Sequence, residues 1–388
     1  MIPYGRQHID QSDIDAVIAV LKSDFITQGP VVPQFEKAVS SYCGTTYATA
    51  VNSATSALHL ACLALEINSN DVVWTSPITF VASTNCVLYC GAAIDFVDID
   101  PDTYNISIPA LKAKLQEAYT NGVLPKAVIA VHLAGQSCEM AELKELSLQY
   151  DFRIIEDASH ALGGVYRGSQ VGSCVHSDIT VFSFHPVKMI TTGEGGMLLT
   201  NNQSLAEKIE LLRSHGVTRD AKKMKQAPDG PWYYEQIDLG FNYRMTDFQA
   251  ALGLSQLKRL NQFVSARQEI ANVYEALLKN SGFKTPKVNE DICSSFHLYI
   301  VRIDTSKLNH VSVFERCRTR GIGVNLHYIP VYRHPYYRNL GFDFQKFPES
   351  ESYYREAISL PIYPGLKKEQ IEYVVDCLLS PMGHQTLF

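Results

Sequence analysis

The stretch Val181–Thr200, VFSFHPVKMITTGEGGMLLT, constrains this chain more than any other. An apolar, β-branched run from Ile179 to Phe184 reads as a buried strand. Gly193, Glu194, Gly195 and Gly196 then permit a tight reversal into a second apolar run, Met197–Thr200. Between the two runs stands Lys188, in a turn rather than on a helix. Burial there favours its neutral amine, the form that attacks a carbonyl carbon. The lysine alone carries little weight, because most lysines snorkel to water.

Asp157 changes the balance. It ends another apolar run, Phe152–Glu156, within RIIEDASHALGG. A carboxylate at the end of a buried strand suits a protonated ring nitrogen. Lysine as Schiff-base former and aspartate against a pyridinium are the pair that pyridoxal phosphate requires.

The surrounding pattern supplies a scaffold for such a site. Strands are expected at Tyr47–Asn52, Val72–Thr75, Ile94–Val97, Ala127–Val131, Arg153–Glu156, Ile179–Phe184 and Met197–Thr200. Helical spacing alternates with them at Ala54–Leu65, Thr79–Tyr89, Ile108–Tyr119, Glu139–Tyr150 and Ser204–Ser214. This is an α/β chain with a mostly parallel central sheet, whose ligands bind at the carboxyl ends of the strands. Before it, residues 9–22 read as a helix capped by Ser12, and Gly29-Pro30 breaks the chain ahead of a second helix. Thr246 opens a long helical pattern to Asn280 that bridges into a smaller α+β part. That part has strands at Leu298–Ile303 and Val324–Tyr328 and helices at Val313–Arg320 and Lys368–Leu379. The expected division is 1–245, an N-terminal arm with a large domain, and 246–388, a bridging helix with a small C-terminal domain.

Composition excludes several classes of partner. With 388 residues, 46% of them hydrophobic, the chain can bury a large core. A formal net charge of −6 gives no footprint for nucleic acid. No apolar run approaches the ~20 residues needed to span a bilayer, and MIPYGRQHIDQSD lacks a signal-peptide core. The nine cysteines are scattered; Cys86 and Cys90 form the one close pair, and no CxxC spacing appears. Reduced thiols in a cytoplasmic protein are expected.

The segments EDASHALG at 156–163, SFHPVK at 183–188 and GEGG at 193–196 resemble the sugar-nucleotide aminotransferases. These are fold-type I pyridoxal phosphate (PLP) enzymes of the aspartate-aminotransferase-like group, and the resemblance spans nearly the whole chain. It implies that Lys188 binds PLP covalently and moves protons, with Asp157 at the ring nitrogen. It implies that Ala54 and Thr55, at a helix start that an ordinary cap would also explain, hold the phosphate together with Ser183. Asn242 matches an asparagine that reaches the phosphate of the neighbouring subunit, so a homodimer with shared active sites is implied. Phe80 matches a ring-stacking position, although a core phenylalanine on a helix face fits the residues too. His160 matches a Gln or His that contacts the ring hydroxyl or supports the site, and His185 is placed behind the lysine.

Three further segments resemble the branch of this family that serves pseudaminic acid biosynthesis. They imply a sugar-nucleotide pocket lined by Tyr4, by Asp24, Phe25, Ile26 and Thr27, and by His327, Tyr328, Ile329 and Pro330. The substrates implied are a UDP-linked keto sugar and L-glutamate. Arg6, Arg219 and Arg244 remain equal candidates for the donor's carboxylate. A sibling enzyme for another keto-sugar nucleotide is the near alternative. Lys188 argues against the related dehydratases, which carry histidine there, and its presence with Asp157 argues against a non-catalytic PLP sensor.

Overall fold

The structure, a computed structural model, describes residues 1–380. Seven strands form the central sheet: β1 Tyr47–Val51, β2 Val72–Thr75, β3 Ala93–Phe96, β4 Ala127–Val131, β5 Arg153–Asp157, β6 Ile179–Ser183 and β7 Gly196–Thr200. Their order is β1-β7-β6-β5-β4-β2-β3, and β7 runs antiparallel to both of its neighbours while the other pairs are parallel. The apolar runs explain this burial. Every residue of β4 and β7 is buried, as strands covered on both faces require.

Helices cover the sheet on both sides. Ala54–Ala64 and Ala82–Tyr89 pack with Val73, Ile129, Ile155 and Val181, whereas Ile108–Asn121 and Met140–Tyr150 pack with Trp74, Val128 and Ile154. Adjacent strand residues point to opposite faces. Asp157 therefore turns one way and Glu156 the other, where His132 Nε2 (2.7 Å), Thr180 Oγ1 (3.0 Å) and the Ser177 hydroxyl hold it. Strand β7 begins against the start of the Ala54–Ala64 helix. A Cβ on Gly196 would lie 2.6 Å from the Ser53 and Ala54 backbone, so only glycine permits that approach.

A separate core lies later in the chain, where Leu260–Leu278 and Lys368–Leu379 pack on the antiparallel pair Tyr299–Arg302 and Ala357–Leu360. Several expectations need correction. The long pattern from Thr246 is two helices, Asp247–Leu257 and Leu260–Leu278, because Arg259 at the break turns to Asp10 and Asp13. The first helix, Gln11–Leu21, is capped by Asp10 rather than Ser12; the Asp10 carboxylate accepts from the Ser12 and Asp13 amides. Val324–Tyr328 is no strand. Only Asn325 pairs with Ser359 there, and the following side chains turn inward to the site. The helix after β2 starts at Ala82, which leaves Phe80 on the loop before it. Among the described residues no helix is long and apolar enough to cross a membrane.

Candidate active site

The carboxyl ends of β4, β5 and β6 open into a cleft of about 440 Å³. Ten of the expected residues line it: Tyr4, Ala54, Thr55, Phe80, Asp157, His160, Ser183, Lys188, His327 and Tyr328. Lys188 is the one lysine or arginine among the lining residues. It sits in the turn after β6, where its N–H donates to the His185 carbonyl at 2.9 Å. Burial lowers its pKa to about 8, against an opposing pull from the Asp157 charge. A share of neutral amine is thus present near neutral pH.

Asp157 is 6% exposed, and each of its carboxylate oxygens accepts one hydrogen bond. Ser83 Oγ donates to its Oδ2 at 2.6 Å, and the Ser159 N–H donates to Oδ1 at 3.2 Å. Thr79 Oγ1 lies 2.7 Å behind Ser83 Oγ. Ser83 escaped the sequence reading, because nothing in a helix 74 residues away marks it as a partner of Asp157.

The opposite end of the cleft is built for an anion. Ser53 caps the helix Ala54–Ala64 by accepting from the Ser56 N–H at 3.1 Å, and the Ala54 and Thr55 amides stand in its first turn. Ser183 ends β6 beside them. Phe80 is 59% exposed, so it is not a core residue. These groups fit PLP: an amine for its aldehyde carbon, a carboxylate for its ring nitrogen, and a helix start with hydroxyls for its phosphate.

One wall carries three histidines, His160, His297 and His327. Burial and the neighbouring Lys188 charge depress all three, His327 to about 4, which keeps them neutral. Both ring nitrogens of His327 have partners, Ser359 Oγ at 2.8 Å and Asn325 Nδ2 at 3.3 Å. It lines the cleft, yet has no free nitrogen for a sugar. His297 was not foreseen; its Nδ1 is buried without a partner among the described residues. Glu194 and Ser159 also line the cleft without having been singled out.

Other expected residues lie outside the cleft. Phe25 and Ile26 are 55% and 51% exposed, and the segment Asp24–Thr27 is held by backbone pairing of Thr27 with Thr246. Ile329 is exposed and Pro330 buried, and neither lines the cleft. Asn242 is exposed, paired by its backbone to Ser214. None of Arg6, Arg219 and Arg244 lines the cleft. Arg6 shares a smaller cavity with Lys188, Arg219 lies 5.7 Å over the Tyr234 ring, and Arg244 pairs with Val51.

Known proteins resemble this chain over nearly its whole length. The model of the DegT/DnrJ/EryC1/StrS aminotransferase family matches residues 7–379. An enzyme of Campylobacter jejuni subsp. jejuni, UDP-4-amino-4,6-dideoxy-N-acetyl-β-L-altrosamine transaminase, is 40% identical over 382 residues, 98% of this chain and 97% of its own. The structure of Helicobacter pylori PseC, an aminotransferase of pseudaminic acid biosynthesis, matches with a TM-score of 0.88 and 32% identity over 97% of this chain and 98% of that one. Spr1654 of Streptococcus pneumoniae, named as a sugar aminotransferase and solved in its PMP form, matches with a TM-score of 0.89 and 31% identity over 97% and 98%. The chain belongs to the DegT/DnrJ/EryC1/StrS aminotransferase family.

Proposed function

We propose that this protein transfers the amino group of L-glutamate to C4 of UDP-2-acetamido-2,6-dideoxy-β-L-arabino-hex-4-ulose. The product is UDP-4-amino-4,6-dideoxy-N-acetyl-β-L-altrosamine. The observation that carries the reaction type is the pairing of a buried, partly neutral Lys188 with Asp157 in one cleft. Likeness to the Campylobacter and Helicobacter enzymes supports the choice of sugar.

When bound, PLP supplies an electron sink beside the carbon that exchanges its amino group. The chain's residues do the rest. Lys188 Nζ would hold the cofactor at its carbonyl carbon and, as a free amine, would move the proton at the reacting carbon. Asp157, oriented by Ser83 and the Ser159 amide, holds the proton on the ring nitrogen. The helix start at Ala54 and Thr55, with Ser183, would hold the phosphate, and Phe80, which also lines the cleft, would cover the ring face. His160, neutral and enclosed, adds no competing charge.

Asn242 lies outside its own cleft, which suits a role in the cleft of a second copy. A homodimer would also bring cations to a cleft that has no arginine of its own. Tyr4 and Tyr328, which line the cleft, would meet the sugar. All nine cysteines are free thiols, which suits work in the cytoplasm.

The test is a panel of UDP-, dTDP- and GDP-linked 4-keto-6-deoxy sugars with glutamate and PLP-loaded protein, read by product NMR. Amination of the UDP sugar at C4 with the expected stereochemistry is the predicted result. Turnover confined to another nucleotide would reject the sugar and leave the transaminase. Absence of any glutamate half-reaction would reject both.

A further inference from the structure

Arg267, on the helix Leu260–Leu278, is 1% exposed and has no carboxylate partner among the described residues. Its Nη1 donates to the carbonyls of Phe296 at 3.3 Å, His297 at 3.2 Å and Ile362 at 2.9 Å. Its Nε is buried without a hydrogen-bond partner among those residues. Burial lowers its pKa to about 10, so the guanidinium keeps its charge at neutral pH. Other enclosed arginines are paired: Arg213 meets Glu36 at 2.7 Å, and Arg302 meets Glu356 at 2.7 Å. A buried charge ordinarily has such a partner, because taking it out of water alone is costly.

A small cavity lies against Arg267, where the N-terminal arm meets the Lys188 turn. Arg6, His8, Lys188, Thr191 and Gln256 share its wall, and no lining residue is an acid. The neutral donors there are already committed. Gln256 Nε2 donates to the His8 carbonyl at 2.8 Å and to Asp13 Oδ2 at 2.7 Å, and the Thr191 hydroxyl donates to the Phe184 carbonyl at 2.9 Å. Asp13, reached through Gln256, is itself held by Arg259. The cavity measures about 10 Å³, room for one water-sized particle and too little for a carboxylate or phosphate group.

We propose that this cavity is a halide site, which takes chloride against the Arg267 guanidinium with Arg6 at its mouth. Charge selects the sign of the ligand: two arginines and Lys188 line the space, and a neutral water cannot offset them. Size selects a monatomic ion. Chloride is somewhat wider than water, and the exposed Arg6 side chain is free to move outward and admit it. Held between Arg6 and Arg267, the ion fastens the N-terminal arm to the bridging helix behind the Lys188 turn.

The test compares thermal unfolding of the full-length protein in sodium chloride and in sodium gluconate at one ionic strength, so that screening is equal. The wild-type midpoint should rise by roughly 2 °C for each tenfold increase in chloride beyond the dissociation constant, and gluconate should give no rise. Arg267→Met should lose this response. Arg6→Gln, at an exposed side chain, should fold and need several-fold more chloride for the same rise. Crystals soaked in bromide should show an anomalous peak beside Arg267 Nε. If Arg267→Met does not fold, Arg6→Gln and the diffraction decide. A wild-type midpoint that does not distinguish chloride from gluconate would overturn the inference, and with a bromide peak present it would mean binding at crystal concentration only. Bromide crystals that show an ordered water beside Arg267 would overturn it as well.

Discussion

Ser83 Oγ donates to Asp157 Oδ2 at 2.6 Å, with both groups buried. The contact joins the first turn of the Ala82–Tyr89 helix to the end of β5, and so sets the direction in which the carboxylate faces the cleft. A hydrogen bond to a charged group is worth about 1.5–3 kcal/mol. Ser83→Ala should therefore lower kcat by roughly ten- to a hundredfold, with PLP still bound. Asp157→Asn should lose most activity and keep its fold. Steady-state kinetics beside circular dichroism would check both; a Ser83→Ala enzyme with wild-type kcat would show that this contact does not orient Asp157.

Lys188→Ala should abolish turnover and leave PLP removable by dialysis. The amine is the one lysine or arginine nitrogen in the cleft, so no neighbour on this chain can replace it. Retained activity would end the transaminase reading.

The lowered pKa of Lys188 predicts how the apo-protein captures PLP. Only the neutral amine reacts, so the capture rate should rise about tenfold per pH unit up to about 8 and level off above. An unperturbed lysine would keep rising to about 10.4. The Asp157 charge holds the Lys188 pKa up, so Asp157→Asn should move the midpoint lower. Stopped-flow absorbance across pH measures both, and a midpoint near 10 would mean that the amine is open to water.

Asn242→Ala should weaken PLP binding in a dimer without altering Lys188. Mixed with Lys188→Ala subunits, it should recover some activity, because one site of the heterodimer then draws a sound Lys188 and a sound Asn242 from different chains. Heterodimers that form yet stay inactive would place both residues on the same chain's site.

Tyr4 and His327 should separate. Tyr4 lines the cleft 5.3 Å from the His327 ring, so Tyr4→Phe should raise KM for the keto sugar and spare the glutamate half-reaction. One lost sugar hydrogen bond corresponds to roughly tenfold in kcat/KM. His327 has both nitrogens tied to Asn325 and Ser359, so His327→Ala should disturb the wall and damage both half-reactions. Equal damage from Tyr4→Phe would make that residue structural as well.

The sequence by itself determined the alternation of strands and helices, the lysine in a turn and the carboxylate at a strand end. Each of these follows from local pattern: apolar runs set the strands, and the Gly-rich reversal after Lys188 closes the pair β6 and β7. Tertiary structure alone decided which side chains meet. Ser83 and Asp157 are 74 residues apart and His160 and Tyr328 are 168 apart, so no periodicity links them. It also split the helical pattern after Thr246, where a continuous apolar repeat could not reveal that Arg259 would be drawn to Asp10 and Asp13. The resemblance grouped Asp24–Thr27 with Tyr4 and His327, yet packing ties that segment to the start of the helix Asp247–Leu257, because Asp247 accepts from the amides of Gly29, Val31 and Val32 and its own N–H donates to the Ile26 carbonyl. Backbone propensity is a property of neighbours in sequence, whereas a site is a property of neighbours in space.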